Sequence, residues 1–182
     1  MRPHEAAQFH EFVQARWPRL VRTAYLLTGD HGEAEDLVQT ALAKAYVAWT
    51  RVQASDSPDA YVRRILVNAN AARFRKRRIT QLLGAAPPEA RSPDPTHLVD
   101  LRDALVRALA RLPVRQRAVV VLRYWDDLPE ADVARALGCS AGTVKSQASK
   151  GLAKLRADPA LSGPQWAAGT YDISEVPVHD RV

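Results

Sequence analysis

Residues 130–156 read EADVARALGCSAGTVKSQASKGLAKLR, and this stretch decides the fold. It divides into one helix, a short break and a second helix. Ala134, Gly138 and Val144 fall at the fifth, ninth and fifteenth places counted from Glu130. A helix-turn-helix needs a small residue, a turn glycine and a buried apolar residue at that spacing. Ala134 allows close helix packing, Gly138 can take the positive φ that ends the first helix, and Val144 plugs the angle between the two. Ser140 is an N-cap for the second helix. That helix carries Lys145, Lys150, Lys154 and Arg156 and no acid. A helix of this charge suits a DNA major groove, with Lys145, Ser146, Ser149 and Lys150 outward. The plainer reading, a hairpin that only packs, stays open on spacing alone.

Working outward, the preceding residues continue the helical pattern. Leu98, Leu101, Leu105, Ala108, Leu109 and Leu112 share one helix face, and Pro113 starts a further helix with Val119, Val120 and Leu122 inward. Upstream, residues 84–97 contain Pro87, Pro88, Pro93 and Pro95 and read as an extended linker. Before it, three helices are expected. Phe9, Phe12, Val13, Trp17, Leu20, Val21, Ala24 and Leu27 mark the first, closed by Thr28-Gly29-Asp30. Leu37, Val38, Ala41, Leu42, Ala45, Tyr46 and Trp49 mark the second. Ser57-Pro58 caps the third, with Tyr61, Val62, Ile65, Leu66 and Ala69 inward. The fold class is all-α: an N-terminal helix bundle over 1–83, a linker over 84–97, a helix-turn-helix domain over 98–158 and a tail over 159–182 holding Trp166, Tyr171 and Ile173.

The bulk numbers agree with a nucleic-acid partner. The 182 residues carry a formal charge of +6 and are 47% hydrophobic, a globular balance. The single cysteine, Cys139, allows no internal disulfide and fits a reducing compartment. No signal peptide and no apolar run near the ~20 residues of a membrane span is visible, so a cytoplasmic protein without membrane insertion is expected. His4, His10, His31, His97 and His179 show no zinc spacing, and no phosphate-cradling glycine loop or nucleophile elbow occurs. No catalytic residue, metal site or cofactor is expected.

Two further constellations stand out. Residues 61–78, YVRRILVNANAARFRKRR, place Arg63, Arg64, Arg73, Arg75, Lys76, Arg77 and Arg78 on a helix with no acid in the segment. Such a run lacks the opposite-charge pairs that help a solvated helix and suits a phosphate backbone. Asn68 and Asn70 within it can donate to and accept from a base edge, while Tyr61 or Phe74 could stack on an extruded base, core packing being the alternative. The acids Asp30, Glu33, Glu35 and Asp36 lie at a helix start, where the macrodipole favours them. A docking surface for a basic partner is the other reading.

Together these segments resemble the sigma factors of bacterial RNA polymerase, in the extracytoplasmic-function group of the sigma-70 family, with wording closest to an actinobacterial subgroup. The resemblance covers roughly residues 8–157 in order. AEDLVQTALAKAYVAW (34–49) resembles the polymerase-binding helix, residues 61–78 the −10 recognition and melting segment, and residues 112–156 the −35-binding region. It implies that Glu35, Asp36, Leu37, Val38 and Gln39 meet the β′ clamp helices of core polymerase. It implies −10 contacts from Arg63, Arg64, Asn68, Asn70, Arg73, Arg75, Arg77 and Arg78, with Asn68 receiving a flipped base. It implies −35 contacts from Arg123, Ser140, Thr143, Lys145, Ser146, Gln147, Ser149 and Lys150. The region 112–125 would meet the β flap, the linker would thread towards the RNA exit path, and an anti-sigma factor is a possible partner. The chain departs from the family at Gln147 and Lys150, where arginine is frequent, and at Pro129, where a serine or threonine cap is frequent. The implied function is a non-enzymatic promoter-specificity subunit. The alternative is a helix-turn-helix regulator that binds duplex DNA without joining the polymerase.

Overall fold

The computed structural model describes residues 3–82 and 97–161. The described residues are helical, with no strand among them. The first helix, α1 (Pro3–Thr28), ends at Gly29, whose φ of +83° turns the chain in a conformation other residues reach only with strain. Asp30 then caps α2 (His31–Val47), its Oδ1 accepting the Glu33 amide at 2.8 Å. The acid run therefore does begin by serving the helix start.

The second expected helix is shorter than its apolar pattern. The chain breaks at Ala48, and Trp49 opens a separate turn, α3 (Trp49–Gln53). The break lets Trp49 enter the core at 4% exposure beside Phe9 and Phe12, with ring centroids 5.0 and 5.3 Å away. Tyr46, expected inward, is instead exposed at the edge against Phe9. Helix α4 (Pro58–Leu82) starts as expected, the Ala60 amide bonding Ser57 Oγ at 3.2 Å. Arg16 grips Asp59 through both carboxylate oxygens, at 3.1 and 3.2 Å, and ties α1 to α4.

Most of the proline-rich linker lies outside the described residues. The second unit starts with α5 (His97–Arg111), whose first residue falls inside the expected linker. Pro113 then sits at the start of α6 (Val114–Val120). Helix α6 runs into a π-helical turn, Val121–Trp125, where the Asp126 amide reaches back to the Val121 carbonyl. Asp127, in the left-handed region at φ 51°, redirects the chain. Helices α7 (Glu130–Leu137) and α8 (Ala141–Arg156) follow, and a 3₁₀ turn, Pro159–Leu161, ends the described chain. The tail residues Trp166, Tyr171 and Ile173 lie beyond it.

The two units pack as one body. Helix α7 lies on α4, and α1 touches α5, α6 and the π turn. Leu27 of α1, Leu66 of α4 and Leu122 of the π turn are fully buried. Each such side chain contributes about 1.5–3 kcal/mol.

Candidate nucleic-acid interface

The helix-turn-helix forms as its spacing predicts. Gly138 ends α7 at φ +62°, Ser140 Oγ accepts the Thr143 amide at 3.1 Å, and Val144 has no exposure. Pro129 stands at the head of α7 with no side-chain cap bond. Val144, Ala148 and Gly151 face inward along α8. Gly151 went unnoticed in the sequence, yet a Cβ there would lie 2.8 Å from Val120 Cγ2. Only glycine lets α8 approach α6 so closely.

The opposite face of α8 is presented to solvent. Lys145, Ser146, Ser149 and Lys150 are all exposed. Ser146 Oγ bonds back to the Thr143 carbonyl at 3.0 Å, and Lys145 has Glu130 at 3.7 Å. Gln147 and Thr143 are half-buried at the edge of this strip. Arg123 lies apart from it, donating to the Leu128 carbonyl at 2.6 Å and so holding the turn into α7.

The basic helix α4 is placed quite differently. Asn68, Arg64 and Arg75 are exposed, but Arg63 is only 9% exposed and Asn70 only 1%. Asn70 Oδ1 is buried without a hydrogen-bond partner, so this amide faces the packed interior instead of a base. The segment holds no acid, yet acids elsewhere reach it. Arg77 Nη1 donates to both Glu33 oxygens at 2.8 and 2.9 Å, and Arg73 donates to the Glu33 carbonyl at 3.2 Å. Arg64 covers the half-buried Tyr61 ring. The Arg78 side chain lies outside the described residues. On α2, Glu35, Asp36 and Gln39 are exposed, whereas Leu37 and Val38 belong to the core at 2% and 0%.

A polar cluster joins the two units. Asp126, 3% exposed, accepts from Thr23 Oγ1 at 3.1 Å and Arg19 Nε at 3.4 Å, with Arg63 Nε at 3.7 Å. Burial pushes its carboxyl above the usual carboxylate range, while Arg63, Arg19 and Thr23 pull the other way. One step along α1, the buried Arg117 donates to the Leu27 carbonyl at 2.7 Å and to the Ala110 and Leu112 carbonyls. Arg19, Thr23 and Leu27 recur every fourth residue, so one face of α1 receives the whole cluster. Sequence reasoning missed these partners because residues about a hundred positions apart share no periodicity.

The Sigma-70 region 2 pattern matches residues 12–79 and the Sigma-70, region 4 pattern matches residues 102–155. The RNA polymerase sigma-E factor of Streptomyces coelicolor is 39% identical over 152 residues, covering 84% of this chain and 86% of its own. The chain belongs to the sigma-70 family. The ECF RNA polymerase sigma factor SigM of Mycobacterium tuberculosis is 34% identical over 149 residues, covering 81% of this chain and 74% of its own. The Bartonella quintana sigma factor RpoE, solved in complex with the anti-sigma factor NepR, superposes with a TM-score of 0.69 at 28% identity. That match covers 82% of this chain and 94% of the solved one. The region 2 match runs from within α1 to within α4, and the region 4 match from within α5 to within α8. The protein is a polymerase-binding sigma subunit, a non-enzymatic initiation factor for promoter DNA. Among the described residues, no helix is long and apolar enough to cross a membrane.

Proposed function

We propose that this sigma factor reads the −35 element with the exposed face of α8 and the −10 element with α4, after its two regions separate. The observation that carries the reading is the solvent-facing strip Lys145, Ser146, Ser149 and Lys150, backed by the buried Val144. Lysine can donate to guanine O6 and N7 or to phosphate, and serine suits several base edges. On α4, the exposed Asn68 is the group suited to a flipped base, with Arg64 and Arg75 on the strands beside it. The exposed acids Glu35 and Asp36, with Gln39, form the surface of α2 suited to the β′ clamp helices. Leu37 and Val38 support that surface from below. The 112–125 segment is assigned to the β flap, and an anti-sigma factor to the role NepR has in the solved relative.

Separation follows from distance. Elements centred about 25 base pairs apart lie about 85 Å apart at ~3.4 Å per pair. In the packed body, Arg75 and Arg77 of α4 and Gln147 of α8 line a single cleft. That arrangement cannot span both elements. The Asp126 cluster and the Arg117 bond to the Leu27 carbonyl must both break, and the first also withholds Arg63. Transcription in vitro with core polymerase on genomic DNA, with start sites mapped, tests the reading. Starts at a fixed distance below a common pair of elements are expected. Absence of any promoter-specific transcript would overturn it.

A further inference from the structure

The packed arrangement creates a cleft that neither region forms alone. It is open, about 920 Å³, and its walls include Phe74, Arg75 and Arg77 of region 2 and Arg115, Arg117 and Gln147 of region 4. No carboxylate lines it among the described residues. Arg75 and Arg115 are exposed there, and Arg77 shares its Nη1 with Glu33 from outside the cleft. Arg117 is the informative member. It is 4% exposed, its terminal nitrogens donate to backbone carbonyls, its guanidinium lies 5.5 Å from the Phe74 ring centroid, and its Nε is buried with no hydrogen-bond partner. The dipoles at the ends of α1 and α5 supply partial negative charge but no counter-ion. Burial pushes its guanidinium down to about 10. A buried cation without a carboxylate is costly to hold, and an anion in the cleft would relieve that cost.

We propose that this cleft binds a small polyphosphate anion and that the bound anion holds regions 2 and 4 together. Arginine presents a planar fork that meets phosphate oxygens two at a time. The volume lies within the ~300–1,000 Å³ typical of small-ligand sites. It suits a chain of phosphates, carried by a nucleotide or free, with Phe74 as a wall for a base in the first case. Because Arg75 and Arg77 also belong to the −10 segment, the anion and the DNA backbone compete for them. A ligand that binds only the packed form shifts the equilibrium towards it by its differential affinity. The proposal rests on the reading that the sigma factor must open to work.

The full-length protein, without polymerase or promoter, is titrated calorimetrically with GTP and separately with inorganic tripolyphosphate at about 150 mM salt. The radius of gyration is followed by small-angle scattering. Saturable one-to-one binding with compaction is expected, weakened about tenfold by Arg115→Ala. The exposed Arg51→Ala on α3 should leave it unchanged. GTP binding tighter than tripolyphosphate assigns the site to a nucleotide, and equal binding assigns it to the phosphate chain itself. No saturable binding by either anion overturns the proposal. So does an equal loss in Arg51→Ala and Arg115→Ala, which would mark general attraction to a basic protein, or binding that expands the molecule. The transcription assay above stands or falls independently of these results.

Discussion

Helices α4 and α8 are both basic and both assigned to DNA, yet the structure treats them in opposite ways. On α8 the reading side chains stand in solvent, with one loose carboxylate near Lys145. On α4 Arg63 is buried against Asp126, Arg73 and Arg77 are held by Glu33, and Asn70 is inside. One helix is ready for the major groove; the other must be released. The difference teaches that a basic run is not by itself an exposed binding surface. Acids from distant positions decide whether its charges are available.

The comparison breaks most sharply at Asp126. Asp126→Ala removes the oxygen that accepts from Thr23 and Arg19 in the packed form, a cost of about 1–3 kcal/mol that opening relieves by rehydration. A larger radius of gyration and tighter binding to single-stranded −10 DNA are expected, with α8 binding to −35 duplex unchanged. If Asp126→Ala stays compact, the cluster is not the controlling contact. The same carboxyl gives a pH test. Its value in the packed form is raised above that in the open form. Packing is therefore favoured below the ordinary carboxylate value, about 3.9, and that advantage fades as pH rises through the raised value. Scattering should show compaction on acidification from neutral pH, and Asp126→Ala should lose this response.

Lys150→Ala tests the other side of the comparison. One base contact is worth about 1–3 kcal/mol, so affinity for −35 duplex should fall by that amount with compactness unchanged. Gly151→Ala drives a methyl group into Val120 and should lower the melting stability of region 4 by about 1–3 kcal/mol, read by thermal denaturation. The smallest effect is expected from Glu33→Gln, which loosens Arg73 and Arg77. As a half-exposed pair it should cost about 0.2–1 kcal/mol of stability while modestly strengthening −10 strand binding in a filter assay.

Local rules were legible in the chain before any coordinates. Ala134, Gly138, Ser140 and Val144 each carry a requirement that their own neighbours state, and each is met. The expected outward face of α8 is exposed for the same reason, since a buried valine fixes the opposite side. Tyr46 and Trp49 share a helical period, but Ala48 breaks the helix between them, because the Trp49 ring finds Phe9 and Phe12 instead. Asn70, Arg63 and Arg117 were beyond local reading. Arg63 meets Asp126 and Arg117 meets the Leu27 carbonyl, each from the other region, and packing between regions leaves no mark in a window of adjacent residues. Gly151 was readable in principle: a glycine inside a basic helix costs about 1 kcal/mol against alanine, so it invites a packing reason.

The π turn at Val121–Trp125 sets the bearing of everything after it. Its wider ring accommodates one residue more than an α-helical turn. Winding the same residues as an α-helix, with none removed, would swing the following chain by about 100°. Asp126 would then leave its place beside α1 while α7 and α8 kept their own internal geometry. The choice between two hydrogen-bond rings in one turn thus acts as a rotary adjustment between a sigma factor that folds shut on itself and one that stands open.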